Sequence, residues 1–165
     1  MQLVLQNIVR FILLVLVQVF VLDNIQFLGY ISPMIYVLFI LSLPIRFPKG
    51  LLLILAFLLG LTIDVFNNTM GVHAFATVFA AFVRPAVINM SVSSEEMANP
   101  TPSFRTFGVG NYVKYVVLIV LMHHMVLFLV ESFSFLHLSL LIPKIILSSA
   151  VTILIILGIQ SLKSK

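Results

Sequence analysis

The sequence predicts an all-α integral membrane protein, a bundle of six transmembrane helices with N- and C-termini cytoplasmic. Three observations carry that reading: an apolar composition, six apolar runs of spanning length, and a one-sided distribution of Lys and Arg. Of 165 residues, 62% are hydrophobic and 8% are charged, and the mean hydropathy is +1.25. Soluble domains carry about 25% charged residues. Nine basic and five acidic side chains cannot cover an 18.5 kDa globule. The composition excludes a soluble domain, a disordered chain and a nucleic-acid-binding module. The net charge of +4 and the pI near 9.7 therefore report loop orientation. There is no cysteine, which excludes disulfides, thiolate catalysis and cysteine-ligated metals.

The spans follow from runs of about 20 apolar residues, the length that crosses a hydrocarbon core of about 30 Å. The first covers about 3–22, interrupted by Gln6, Asn7, Arg10 and Gln18. No small-residue cleavage site follows it, so it reads as a retained helix. The second covers about 27–43, with Pro33 in its first turn and Pro44 as its stop. A basic turn, Pro44 to Gly50, leads into the third span at 51–66, and the polar turn Asn67–Gly71 leads into the fourth at 72–90. Residues 91–111, with Glu95, Glu96, Pro100, Pro102, Gly108 and Gly110, read as a polar cytoplasmic loop with a short interfacial turn. The fifth span covers 112–133 and the sixth 139–162, so that 1–165 forms a single transmembrane domain.

Orientation follows from charge. With the N-terminus inside, Arg46, Lys49, Arg84, Arg105, Lys114, Lys163 and Lys165 fall on inner segments, seven of the nine basic residues. The outer turns 23–30, 67–71 and 134–138 hold no Lys or Arg. Arg10 snorkels inward, and Lys144, near the outer surface, is the exception.

Polar groups at membrane depth are costly, which makes them the site candidates. Ala56, Gly60 and Asp64 recur every four residues on one helical face. On the following helix His73, Thr77, Ala80 and Arg84 share a face, and Ala76 and Ala80 form a second small-residue pair. Such faces admit another backbone closely. Asp64 reads either as an anchor for a partner or ligand, or as a helix-end carboxylate tying down the outer turn through the N–H groups of residues 67 to 73. For His73 the alternatives are a ligand and a hydrogen-bonded helix-end residue. For Arg84 they are a docking cation and an interface anchor. On the fifth span His124, Phe128 and Glu131 share a face. Residues seven apart lie about 10 Å apart along the axis, too far for one metal ion, so His124 and Glu131 read as a polar outer-leaflet patch. No G-x-S-x-G, H-E-x-x-H or Gly-rich phosphate loop occurs. The expectation is a non-enzymatic protein without catalytic residues, metal or cofactor.

The run Leu58-Leu59-Gly60-Leu61-Thr62-Ile63-Asp64, followed by Gly71-Val72-His73-Ala74, resembles the central signature of the bacterial rod shape-determining MreD family. Gly60 and Asp64 match its Gly-x-x-x-Asp helix end, and Gly71 matches the glycine that opens the next helix. The proline-bearing second run, the basic turn before the third helix and the short basic tail also fit. The resemblance implies a scaffold subunit of the cell-elongation complex in the bacterial cytoplasmic membrane, supporting cell shape and lateral peptidoglycan synthesis. Its partners would be a bitopic MreC-type protein, an MreB-type filament, the wall-synthesising transpeptidase–glycosyltransferase pair and membrane lipid, with no nucleic acid. Gly71 and the faces of Ala56/Gly60 and Ala76/Ala80 are the expected packing positions for a partner's helix. The family is also distantly similar to the substrate-binding subunits of energy-coupling-factor vitamin transporters. The alternative is therefore a vitamin-binding subunit of a membrane transporter, with Asp64, His73 and Glu131 lining an outward cavity. Against it, the first helix lacks the small-x-x-x-small pattern such subunits use for docking.

Overall fold

The computed structural model describes residues 2–25, 31–92, 101–132 and 138–163. Of the outer turns expected at 23–30 and 134–138, residues 26–30 and 134–137 lie outside the described residues, as do the loop residues 93–100 with Glu95 and Glu96 and the terminal Lys165. Every regular element described is helical: α1 (Gln2–Val17, continued by a wide turn Gln18–Leu22), α2 (Leu38–Ser42, entered through the tight turn Ile35–Val37), α3 (Lys49–Asn67), α4 (Val72–Ser91), α5 (Phe104–Ser132) and α6 (Leu138–Lys163). Helices α3, α4, α5 and α6 pack sequentially. Helices α4 and α5 are half buried, whereas α1 and α6 keep most of their surface exposed.

Among the described residues five helical stretches are long and apolar enough to cross a membrane: Val4–Leu22, Lys49–Asn67, Val72–Ser91, Phe104–Ser132 and Leu141–Lys163. The predicted second span, 27–43, is not a continuous helix. Its described part begins with non-helical backbone at 31–34, and helix begins only at Ile35. Pro33 lacks an N–H and biases Ser32 away from helical geometry. The freed donors are taken by side chains of other elements. Ser32 N–H donates to Ser148 Oγ (3.1 Å), Met34 N–H to Thr152 Oγ1 (3.0 Å) and Ile35 N–H to Gln18 Oε1 (2.9 Å). Gln18 Nε2 donates to Pro33 O (3.0 Å). Buried irregular backbone persists only where other groups satisfy it, and here side chains of Gln18 and of α6 do so. The segment runs antiparallel to α1: Gln18 meets its start, and Arg10 meets its end at Ser42 O (3.4 Å). Its apolar residues from Ile35 to Leu41 are buried almost completely. A continuous apolar run cannot by itself distinguish a buried helix from buried extended chain.

The fifth helix begins at Phe104, eight residues before the predicted Tyr112. Ser103 starts it with reciprocal bonds. Thr106 N–H donates to Ser103 Oγ (3.2 Å), and Ser103 N–H donates to Thr106 Oγ1 (2.9 Å), a capping box built from hydroxyls. The first turn breaks at Gly108 (φ +73°, ψ 159°) before the long helix continues.

Candidate functional site

The α3–α4 hairpin holds most of the predicted site residues. Asn68 (φ +55°) and Gly71 (φ +83°) turn the chain through left-handed backbone. That geometry costs an L side chain about 1–2 kcal/mol, which accounts for glycine at 71. Gly71 sits just before the first turn of α4. The Asp64 carboxylate reaches across the turn and accepts from His73 N–H (3.1 Å), Ala74 N–H (2.8 Å) and the Thr69 hydroxyl. It thus caps, from the preceding helix, the free N–H groups at the start of α4, placing negative charge where the helix dipole favours it. Of the two readings of Asp64, this is the helix-end carboxylate.

Gly60 lies one turn earlier on the same face. A Cβ there would stand 2.4 Å from Ala74 Cα and 2.6 Å from His73 O. The glycine therefore lets α3 touch the backbone of α4. Ala56, Ala76 and Ala80 are fully buried beside it. The small-residue faces expected to receive a partner's helix are not open: Gly60 is closed against α4, and Ala56, Ala76 and Ala80 are buried within the chain.

Arg84 is 1% exposed at the other end of α4. Its Nε donates to Tyr115 Oη (2.9 Å), one terminal nitrogen donates to Pro44 O (3.2 Å), and the other donates to Leu43 O. Tyr115 Oη in turn donates to Leu41 O (3.2 Å). The guanidinium thus gathers the carbonyls at the C-terminal end of α2, where a helix dipole favours a cation. Each of its three guanidinium nitrogens is thus engaged within its own chain.

Between these two ends lies a buried network. Tyr36 Oη is 2.8 Å from His73 Nδ1 and 3.1 Å from His123 Nε2. The hydroxyl has one proton, so it donates to one ring and accepts from the other. The two histidines therefore hold opposite protonation at the facing nitrogens. His124 Nδ1 faces Val120 O at 3.0 Å, and a carbonyl only accepts, so that nitrogen carries a proton. His124 Nε2 lies 3.2 Å from Thr152 Oγ1, the hydroxyl that also holds Met34 N–H. The network ties the irregular segment to α4, α5 and α6.

The predicted patch of His124 and Glu131 does not form. His124 is fully buried, while Glu131 is exposed and pairs with Lys144 (2.9 Å). Adjacent positions on a helix diverge by about 100°. On the central helix α5 both His123 and His124 therefore face interior, toward different neighbours. Lys144, the exception in the charge pattern, sits 4.3 Å over the Phe128 ring with its charge matched by Glu131. Among the described residues no three His, Asp or Glu side chains converge on a metal-sized site.

Gln18, Tyr36, Tyr115, His123 and Thr152 hold the interior together and escaped sequence reasoning. Ser148 and Thr152, four apart in an apolar run, were the available signal. The outward features are grooves. One of about 440 Å³ lies between α1 and α3, lined by Ile8, Phe11, Leu51, Leu55, Leu58 and neighbours. Fold and site together define an all-helical bundle with several long apolar helices and a polar interior that is hydrogen-bonded almost throughout, His123 Nδ1 and Ser149 Oγ being without a partner among the described residues. In comparisons with known proteins, no family model, curated protein or solved structure matches the chain.

Proposed function

We propose that the chain is a non-enzymatic membrane scaffold of the MreD type, with both termini cytoplasmic, that binds the transmembrane helix of an MreC-type partner in support of lateral wall synthesis. The observation that carries the reading is the use made of the motif Gly60-x-x-x-Asp64 and Gly71. All three residues serve the α3–α4 hairpin, as architecture and not as chemistry. A rigid hairpin with an apolar groove beside it suits helix docking. The groove between α1 and α3 replaces the small-residue faces as the proposed docking position. Its walls include Leu51 and Leu58, each about half exposed. The transporter alternative draws less support, because Asp64 and His73 direct polar atoms at their own chain and Glu131 points at Lys144.

The test is co-purification from membranes expressing the chain with an MreC-type partner. Leu51→Trp and Leu58→Trp fill the groove and should reduce partner yield, whereas Leu154→Trp, on the exposed face of α6, should not. Unchanged yield in all three refutes the docking position. Topology is checked separately, because the chain has no native cysteine. A cysteine at Met70, which is 98% exposed, should react with impermeant maleimide from outside, and one at Lys49 only after permeabilisation.

A further inference from the structure

A second cavity lies at the opposite end of α1 from Gln18, where α1, the end of α2 and the end of α6 meet the chain before α5. It measures about 310 Å³ and presents Arg10 and Lys163 together with Gln6, Asn7, Ser103 and Gln160. Among the described residues neither cation has an acidic partner, and the only described ion pair is Lys144–Glu131. Arg10 makes two long contacts, to Asn7 Oδ1 (3.3 Å) and Ser42 O (3.4 Å), so most of its donors remain available. The other polar walls are neutral amides and hydroxyls, which complete the coordination of an oxyanion but do not select one. The same Gln6, Arg10 and Lys163 also border a groove of about 520 Å³ between α1 and α6. Beyond them that groove is apolar, walled by Val9, Leu13, Leu14 and Ile159.

We infer that this paired feature is a binding site for a phosphate-bearing anionic lipid, with its headgroup held by Arg10 and Lys163 and a hydrocarbon chain laid along the α1–α6 groove. Two cations with no acidic partner among the described residues, at the mouth of an apolar channel, fit that chemistry at both ends. A guanidinium fork binds phosphate in a bidentate manner and an ammonium adds a point charge. A soluble phosphate would use the cavity and leave the groove idle. The site rests on the membrane-spanning reading and is independent of the scaffold partner.

The experiment is native mass spectrometry of the purified full chain in micelles. The micelles carry equal phosphatidylglycerol and phosphatidylcholine with identical acyl chains. The wild type should retain the anionic lipid preferentially. Lys163→Gln, at an exposed helix end, and Arg10→Gln should each lower that preference, and the double variant should lower it about tenfold. Lys49→Gln, an exposed cation outside the cavity, should leave it unchanged. Val9→Trp, which blocks the groove, should reduce retention of both lipids. Equal preference in wild type, Lys163→Gln and Lys49→Gln overturns the site. Displacement of the lipid by millimolar inorganic phosphate, with Val9→Trp silent, overturns the role of the groove. Failure of the chain to enter bilayers would instead count against the membrane-spanning reading itself.

Discussion

Asp64→Asn separates a helix cap from a partner contact. The carboxylate uses both oxygens: Oδ1 accepts from Thr69 and His73 N–H, and Oδ2 accepts from Ala74 N–H at 2.8 Å. Asparagine keeps one acceptor and turns an NH₂ group toward the other site. If Oδ1 stays in place, Ala74 N–H faces a donor inside the bundle. A buried group left unpaired costs about 1–3 kcal/mol. Losing the charge at the start of α4 removes a further 0.3–1 kcal/mol or about that. The expected loss is therefore about 1.5–4 kcal/mol, read from reversible unfolding of the purified chain in mixed micelles titrated with SDS. The effect should couple to Gly60→Ala, because the new Cβ presses on Ala74, the residue whose N–H Asp64 holds. Neighbouring substitutions of this kind deviate from additivity by about 0.5–3 kcal/mol. Stability within about 0.5 kcal/mol of wild type, the range of featureless surface changes, would refute the cap. Lost partner binding at unchanged stability would move Asp64 to the partner reading.

Three further outcomes follow from the interior. Arg84→Lys replaces three separately placed guanidinium nitrogens, each on its own acceptor, by one nitrogen that does not reach all three positions, and each lost charge-assisted bond is worth about 1.5–3 kcal/mol; the same unfolding titration should show the loss, and proteolysis after Pro44 should accelerate. Tyr36→Phe leaves facing nitrogens of His73 and His123 without their shared hydroxyl, so imidazole NMR shifts of both rings should move together; a shift in one ring alone contradicts the shared hydroxyl. The Glu131–Lys144 pair is partly exposed, so a double-mutant cycle with Glu131→Gln and Lys144→Gln should give less than about 1 kcal/mol of coupling.

The helical class and the long spans were legible because apolar runs of spanning length admit little else. The hairpin was legible too. Residues four apart put Ala56, Gly60 and Asp64 on one face, and a short turn brings that face against the next helix. What periodicity does not contain is the identity of the neighbour. A small-residue face looks the same whether a foreign helix or α4 covers it, and here α4 covers it. The broken second pass was hidden for a related reason. Its apolar run reports burial, while the extended stretch depends on Gln18, Ser148 and Thr152, which lie elsewhere in the sequence. His124 was placed in an outer patch because the sequence did not reveal that α5 is central. On a peripheral helix, one of two adjacent histidines would face outward.

The charges of this chain divide by what they touch, and the division locates its outward action. Asp64 and Arg84 are buried without a counter-ion, yet neither is unsatisfied. One closes the start of α4 and the other closes the end of α2. A helix end offers several aligned dipoles that are already desolvated, so it stabilises a buried charge without bringing a second ion out of water. Groups held in this way have no polar atoms aimed at open volume, and a ligand could reach them only by opening the hairpin. Glu131 and Lys144 are matched to each other. Arg10 and Lys163 differ from all of these, because they face a cavity. The apolar groove proposed for a partner's helix and the cationic cavity proposed for a lipid then share one wall, α1, which is the least buried of the long apolar helices among the described residues. Helix α1 is held to the core through Gln18 and Arg10 at its two ends of contact with the second segment. The interior polar groups of this protein fix where α1 stands, and the surfaces of α1 carry both of the proposed binding positions.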